Sequence, residues 1–340
     1  MPTYNSAINT ASLGTGFVYS DGTGILGIGV PSGGSNILLT KFTANGIFTK
    51  NVATKYIEVI CWNGGGGGGS GRQGLSGAAG GGSGGAPGGV LVFGGFATFF
   101  SATETVTIGS GGVGGPAQSL ASTDGDDGTP GGVSSLGNIF LSLSGTGGSG
   151  FNNGLGGANG TVSGGTTAGF SYPFYPLYNS IFDTPGGDGK LVSGIDADPI
   201  YENSRVSWTT YLISGAGGGG AGANAGTAYK GGDGSDTVSF QNQSGAVPDV
   251  LNAGGVGGIE TGTIDGTAGN NAITTSGGRY VAASGGGAGG GQKVGIVAGN
   301  GGNGGLPSGG GAGGGGSIDG TNSGSGGNGG RGEVWVIEYY

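Results

Sequence analysis

The chain contains no histidine and only one cysteine among its 340 residues. Without imidazole there is no ordinary proton shuttle near neutral pH, no imidazole metal ligand and no Ser-His triad, however many serines occur. One thiol cannot close an intrachain disulfide, and its apolar setting marks Cys61 as a small buried hydrophobe. Charge is scarce too, with 10 Lys and Arg against 19 Asp and Glu for a net charge of −9. The cations are scattered and form no basic patch, which argues against nucleic-acid binding. No apolar run approaches the ~18 residues of a membrane-crossing helix. The opening MPTYNSAINTASLG has neither the basic start nor the apolar core of an export signal, so synthesis in a cytoplasm is expected. No segment reads as a helix of three turns with an apolar face, because glycine interrupts every candidate.

Glycine is what the chain has in abundance, 98 residues of it. Collagen is excluded, since GGNGGLPSGGGAGGGG (301–316) breaks the three-residue period and only 11 prolines occur. A disordered tract is disfavoured by 34% hydrophobic residues, 12 Tyr, 13 Phe and 3 Trp alongside so few charges. Strand patterns lie between the glycine blocks. NILLTKFTANGIFTK (36–50) carries an Asn45-Gly46 hairpin signal, and YIEVICW (56–62) alternates around Glu58 as a strand with one buried face. Further strand candidates are residues 90–100, 103–112, 134–145, 205–215, 278–284, 292–299 and 332–340. In the last, Val334, Val336 and Glu338 share one face, and Trp335, Ile337 and Tyr339 the other. The glycine blocks at 64–89, 145–165, 215–234, 254–258 and 285–330 have no fixed unit length and flank strands, unlike a single linker.

Glycine runs side by side lack the Cβ atoms that would hold their backbones apart. In the polyproline II conformation, with three residues per turn, N–H groups of one run can then meet carbonyls of its neighbours. A net ~1 kcal/mol per hydrogen bond can offset the extra ~0.5–1 kcal/mol of backbone entropy that each glycine loses. The expected fold is therefore all-β with packed polyglycine II (polyproline II-like) helical layers and no substantial α-helix. The expected divisions are an attachment segment at 1–40, strands with glycine-rich layers at 41–169, an aromatic-rich insertion and strand at 170–213, and further glycine-rich layers with a closing strand at 214–340.

GIFTKNVATKYIEVICWNGGGGGGSG (46–71) is an apolar hairpin that ends in tryptophan before a glycine run. TETVTIGSGGVGG (103–115) is followed by GGVSSLGNIFLSLSGTGGSG (131–150), and GGNGGRGEVWVIEYY (326–340) closes the chain. Over about residues 42–340 this arrangement resembles the glycine-rich tail-fibre and adhesin proteins of tailed bacteriophages. Some members of that group are receptor-binding tips that resemble a sandwich of polyglycine II helices, with loops between the glycine motifs contacting the host. The resemblance implies a virion component in the tail, made in the host cytoplasm. Its partners would be other tail or virion proteins and a host outer-surface protein or glycan, with the choice between a homo-oligomer and a single copy left open. A non-adhesive virion scaffold, such as a collar, baseplate or capsid-attached spacer, is the alternative. The present chain departs from the compact adhesin pattern in its N-terminal stretch and in the insertion at 170–211.

The sharpest local anomaly is GFSYPFYPLYNSIF (169–182), with six aromatics and two prolines in 14 residues. Phe170, Tyr172, Phe174, Tyr175, Tyr178 and Phe182 are candidate receptor or partner contacts. Such rings offer large area at little side-chain entropy, although an internal core or subunit interface is the more common use of such a cluster. Asp124, Asp126 and Asp127 lack the spacing and terminal glutamate of a calcium loop and read as a surface turn. The acids at 193–204 read as solvated. No catalytic residues, metal ligands or cofactors are expected, and no GxxxxGK[ST] phosphate loop occurs.

Overall fold

The computed structural model describes residues 18–20, 26–28, 37–75, 78–140, 144–151, 178–180, 186–187, 189–190, 200–201, 214–224, 227–238, 250–259, 265–274, 280–281, 285–287, 289–291, 296–318 and 320–340. The chain is β-rich, with no α-helix among these residues. Two antiparallel sheets face each other. The larger contains β1 (Ile37–Phe42), β3 (Tyr56–Trp62), β4 (Val90–Phe96), β8 (Tyr178–Ser180) and β9 (Glu333–Tyr339), in the order β8-β4-β3-β9-β1. The smaller contains β2 (Gly46–Thr49), β5 (Thr103–Thr107), β6 (Ser135–Leu136) and β7 (Ile139–Phe140), in the order β7-β6-β5-β2.

The Asn45-Gly46 signal does not make a hairpin. β1 pairs with β9, whereas β2 pairs with β5 in the other sheet. The dipeptide is a corner at which the chain changes sheets, and the Asn45 side chain accepts from Ile108 N–H at 2.7 Å. The expected strand at 134–145 is instead a short hairpin, β6 to β7, that turns at Gly137 with φ +54°. The strand at 90–100 stops at Phe96 and gives way to a 3-10 turn over Ala97–Phe99. Residues 205–213 and 292–295 lie outside the described residues, and 296–299 form no strand but lead into the glycine run 299–305.

The core lies between the sheets. Ile57, Val59, Cys61, Leu91, Phe93, Val334 and Val336 from the large sheet meet Phe48, Val106, Leu136 and Ile139 from the small one. The central strands are covered on both faces, not one. Ile60, Trp62, Val90, Val92, Trp335 and Ile337 form a second cluster on the opposite side of the large sheet. There the Trp62 and Trp335 rings meet edge-on, 5.0 Å between centroids. Burial pushes the Cys61 thiol up to about 12, so it remains a protonated packing group.

Two acids in the centre of this sheet are held by hydrogen bonds. Glu338 is buried and accepts from Asn51 N–H and Thr54 Oγ1, both at 2.8 Å. Glu58 accepts from the Tyr339 hydroxyl at 3.0 Å, yet burial outweighs that contact and raises its pKa above the ordinary glutamate value. The folded chain therefore holds the Glu58 proton to higher pH than the unfolded chain does. Stability supplied by this group is complete below the ordinary glutamate range and declines as pH rises through the raised value.

Two predictions follow from this packing. Leu91→Ala should cost about 2–5 kcal/mol in denaturant unfolding, while Ile47→Ala at an exposed position of β2 should stay within about 0.5 kcal/mol. As pH rises above the ordinary glutamate range, Glu58→Gln should flatten the fall of stability relative to the parent chain; parallel curves would contradict the assignment.

Candidate functional site

Beyond Trp62 the chain leaves the sheet as the glycine run 64–74. Eleven consecutive backbone N–H groups, Gly64 through Gly74, each donate to another segment at 2.8–3.1 Å. The partners cycle with a period of three. Gly64, Gly67, Ser70 and Gln73 donate to Gly132, Thr129, Asp126 and Thr123. Gly65, Gly68 and Gly71 donate to Gly330, Gly327 and Gly324, and Gly66, Gly69 and Arg72 to Ala86, Ser83 and Gly80. The carbonyls accept with the same period: that of Gly65 from Gly112, that of Gly66 from Gly311 and that of Gly67 from Gly148. Six other runs thus surround this one, three antiparallel as acceptors and three parallel as donors. The run 309–317 is likewise enclosed by six runs, with 299–305, 82–85 and 324–330 antiparallel and 215–221, 66–72 and 286–289 parallel.

Only backbone without side chains fits such spacing. A Cβ built on Gly66 would overlap the Thr146 carbonyl, and one on Gly68 the Ala312 carbonyl. Most side chains that runs carry inside the bundle are small, with Ser83, Ala86, Ala216, Ala221 and Ala312 fully buried; Gln73 and Phe151, at the far ends of their runs, are the large ones, and Phe151 lies over Gly80. The acids expected to mark a surface turn at 124–127 sit instead within the run 123–132. Asp126 takes the Ser70 N–H, Asp127 takes Gly150 N–H at 2.7 Å, and Asp124 pairs with Arg72. The sequence signal was present in the glycines at 125, 128, 131 and 132, but the acids disguised it.

The register gives the bundle a direction. The runs 64–74, 109–115 and 145–151 lead away from the sandwich, whereas 80–89, 123–132 and 324–332 return to it. At the far end the connecting segments bind one another. Ala78–Ala79 pairs with Ala223–Asn224, which pairs with Thr227–Ala228; Gln73 bridges Thr123 and Ser317; Gln118 N–H donates to Ser323 Oγ at 2.8 Å. Ala79, Ala223 and Ile318 form a small buried plug beneath them. Leu75, Leu120, Ile259, Ile296 and Val297 are exposed apolar side chains at this end, each on or beside a segment joining two runs; Leu38, Ile47, Val52, Phe96 and Phe99 are exposed at the sandwich.

Of the aromatic contacts expected from the sequence, one lies among the described residues. Phe170, Tyr172, Phe174, Tyr175 and Phe182 lie outside the described residues. Tyr178 is placed, opposite Val92 in β8, at the edge of the large sheet beside the sandwich. The far-end apolar residues were missed because Leu75, Leu120 and Ile259 are isolated in polar or glycine-rich stretches and Ile296-Val297 reads as part of a strand; only the three-residue register brings them to one end. Among the described residues there is no group of three potential metal-ligating side chains, and no helix is long and apolar enough to cross a membrane.

No protein-family model matches this chain, and no curated protein matches it either.

The bundle makes a direct prediction. Gly66→Ala should destabilise the chain by at least the ~1–3 kcal/mol typical of overpacking, because rigid backbone must move to admit the methyl group. Gly46→Ala is the control: its Cβ would stand 3.5 Å from the Phe42 ring, an ordinary contact. Thermal unfolding of the two variants should separate them clearly.

Proposed function

We propose that the chain is a virion structural protein of a tailed bacteriophage, a tail-fibre or tail-tip component that presents loops to the host surface. Its glycine runs form polyglycine II helices packed in layers upon a β-sandwich. What supports the conformation is the three-residue cycle of hydrogen-bond partners, the periodicity of that helix, together with six neighbours around a central run. What supports the role is the arrangement of the two ends. The sandwich gathers the strands at one end, and the connecting loops, with their exposed apolar residues, are joined to each other at the opposite one. A stiff body with a fixed loop surface suits contact work, since pre-ordered loops lose little entropy on binding.

Such a role needs no catalysis and no cofactor, in keeping with the missing histidine. Its partners are other tail or virion proteins and a host surface protein or glycan.

One observation favours the scaffold alternative for the aromatic insertion. β8 anchors Tyr178–Ser180 to β4 at the sandwich, so this segment is tied to the end away from the loop surface. An interface with a neighbouring virion subunit fits that position better than receptor contact does.

A map of the assembled particle tests the proposal. The chain should lie at the distal tail with the loops carrying Leu75, Leu120 and Ile296 outermost. A position in the collar, baseplate or capsid would transfer the protein to the scaffold role, and absence from particles would overturn both. Leu75→Ser/Leu120→Ser/Ile296→Ser should weaken adsorption of purified protein to host cells without lowering its melting temperature.

A further inference from the structure

Along its sides the bundle meets solvent, and there many backbone N–H groups are bonded to side chains instead of to another run. Gly114 N–H donates to Asn328 Oδ1 at 2.9 Å, and Asn328 N–H donates to Asn303 Oδ1 at 2.8 Å. Ser325 N–H donates to Asn300 Oδ1 at 3.0 Å, while Asn300 N–H reaches Asp265 Oδ1 at 2.7 Å. Elsewhere on the rim, Gly257 and Gly254 donate to Asp233 and Asp236 at 2.7 and 2.6 Å. The Thr129 and Thr267 hydroxyls take the N–H groups of Val113 and Val256, both at 2.7 Å. Acceptors recur at three-residue steps, Asn300 with Asn303 and Asp233 with Asp236, the same step as the runs themselves. Asn300, Asn303 and Asn328 are exposed.

An N–H facing outward from such a bundle resembles one on the edge of a β-sheet. It is a place to which another backbone adds, and exposed edges of that kind drive association unless they are blocked. The interior shows what would add. The run 64–74 accepts parallel and antiparallel neighbours alike, provided that they are glycine-rich. A second copy of this chain supplies such runs in either orientation.

We propose that the rim Asn, Asp and Thr side chains form a lateral stop. They hold the hydrogen-bonding places that a glycine run of a second copy would otherwise take, and so fix the width of the bundle. The inference rests on the contacts between runs and is independent of where in a particle the chain works.

Sedimentation velocity across a concentration series tests it in the full chain. Asn300→Gly/Asn303→Gly/Asn328→Gly should shift to larger species as concentration rises, beyond anything the parent shows. Asn300→Asp/Asn303→Asp/Asn328→Asp, which retains the accepting oxygen, should sediment like the parent. A folded glycine variant that sediments as the parent does would overturn the proposal. Should that variant fail to fold, Asn328→Ala is read by amide exchange. Gly114 should exchange roughly tenfold faster while Gly115, bonded to the Gly68 carbonyl, stays unchanged. Unchanged exchange at Gly114 would sink the idea, as would faster exchange with no added association at any concentration.

Discussion

Everything in this protein depends on backbone N–H to carbonyl hydrogen bonds between segments that have no side chains to keep them apart. Each bond contributes little by itself. The constraint is stronger in the negative: a buried N–H or carbonyl left unpaired costs about 1–3 kcal/mol, so a run inside the bundle must be satisfied along its whole length. The unbroken series of donations from Gly64 to Gly74 meets that demand. It also explains the composition. Any Cβ at Gly66 or Gly68 displaces a neighbouring backbone, so the large glycine content is a steric requirement and not a sign of looseness.

Among the described residues, such a bundle buries little apolar surface of its own: the small plug of Ala79, Ala223 and Ile318, and the Phe151 ring over Gly80. Hydrophobic stabilisation comes from the sandwich, and the two parts are continuous in the chain. β3 runs directly into 64–74, the run 80–89 returns directly into β4, and 324–332 leads into β9. These three strands are adjacent in the large sheet, so their pairing brings together the ends of the runs they carry. Buried polar contacts sit at the junction. Ser134 Oγ donates to the Trp62 carbonyl at 2.6 Å, and Ser134 N–H donates to Asn63 Oδ1 at 2.7 Å.

Much of this was legible in the sequence, though unevenly. Tyr56–Trp62 and Glu333–Tyr339 announce themselves by β-branched and aromatic residues, and both are strands. Their second buried face was not foreseen, because Glu58 and Glu338 look like solvent positions; hydrogen bonds from Tyr339 and from Thr54 make burial tolerable. The Asn45-Gly46 corner imitates a hairpin because local turn chemistry is the same whether or not the flanking strands pair. Runs interrupted by Asp or Thr, such as 123–132, read as turns since rim side chains are polar by necessity. The far-end loop surface depends on a three-dimensional register that no single stretch of sequence contains.

The central claim is that residues 64–69 belong to a cooperative bundle and are not a tether. Native-state amide hydrogen exchange decides it. If the account holds, the amides of Gly64 through Gly69 exchange as slowly as those of β3, through the same global opening. Exchange of these six glycines at the rate of unstructured backbone, beside a protected β3, would contradict it.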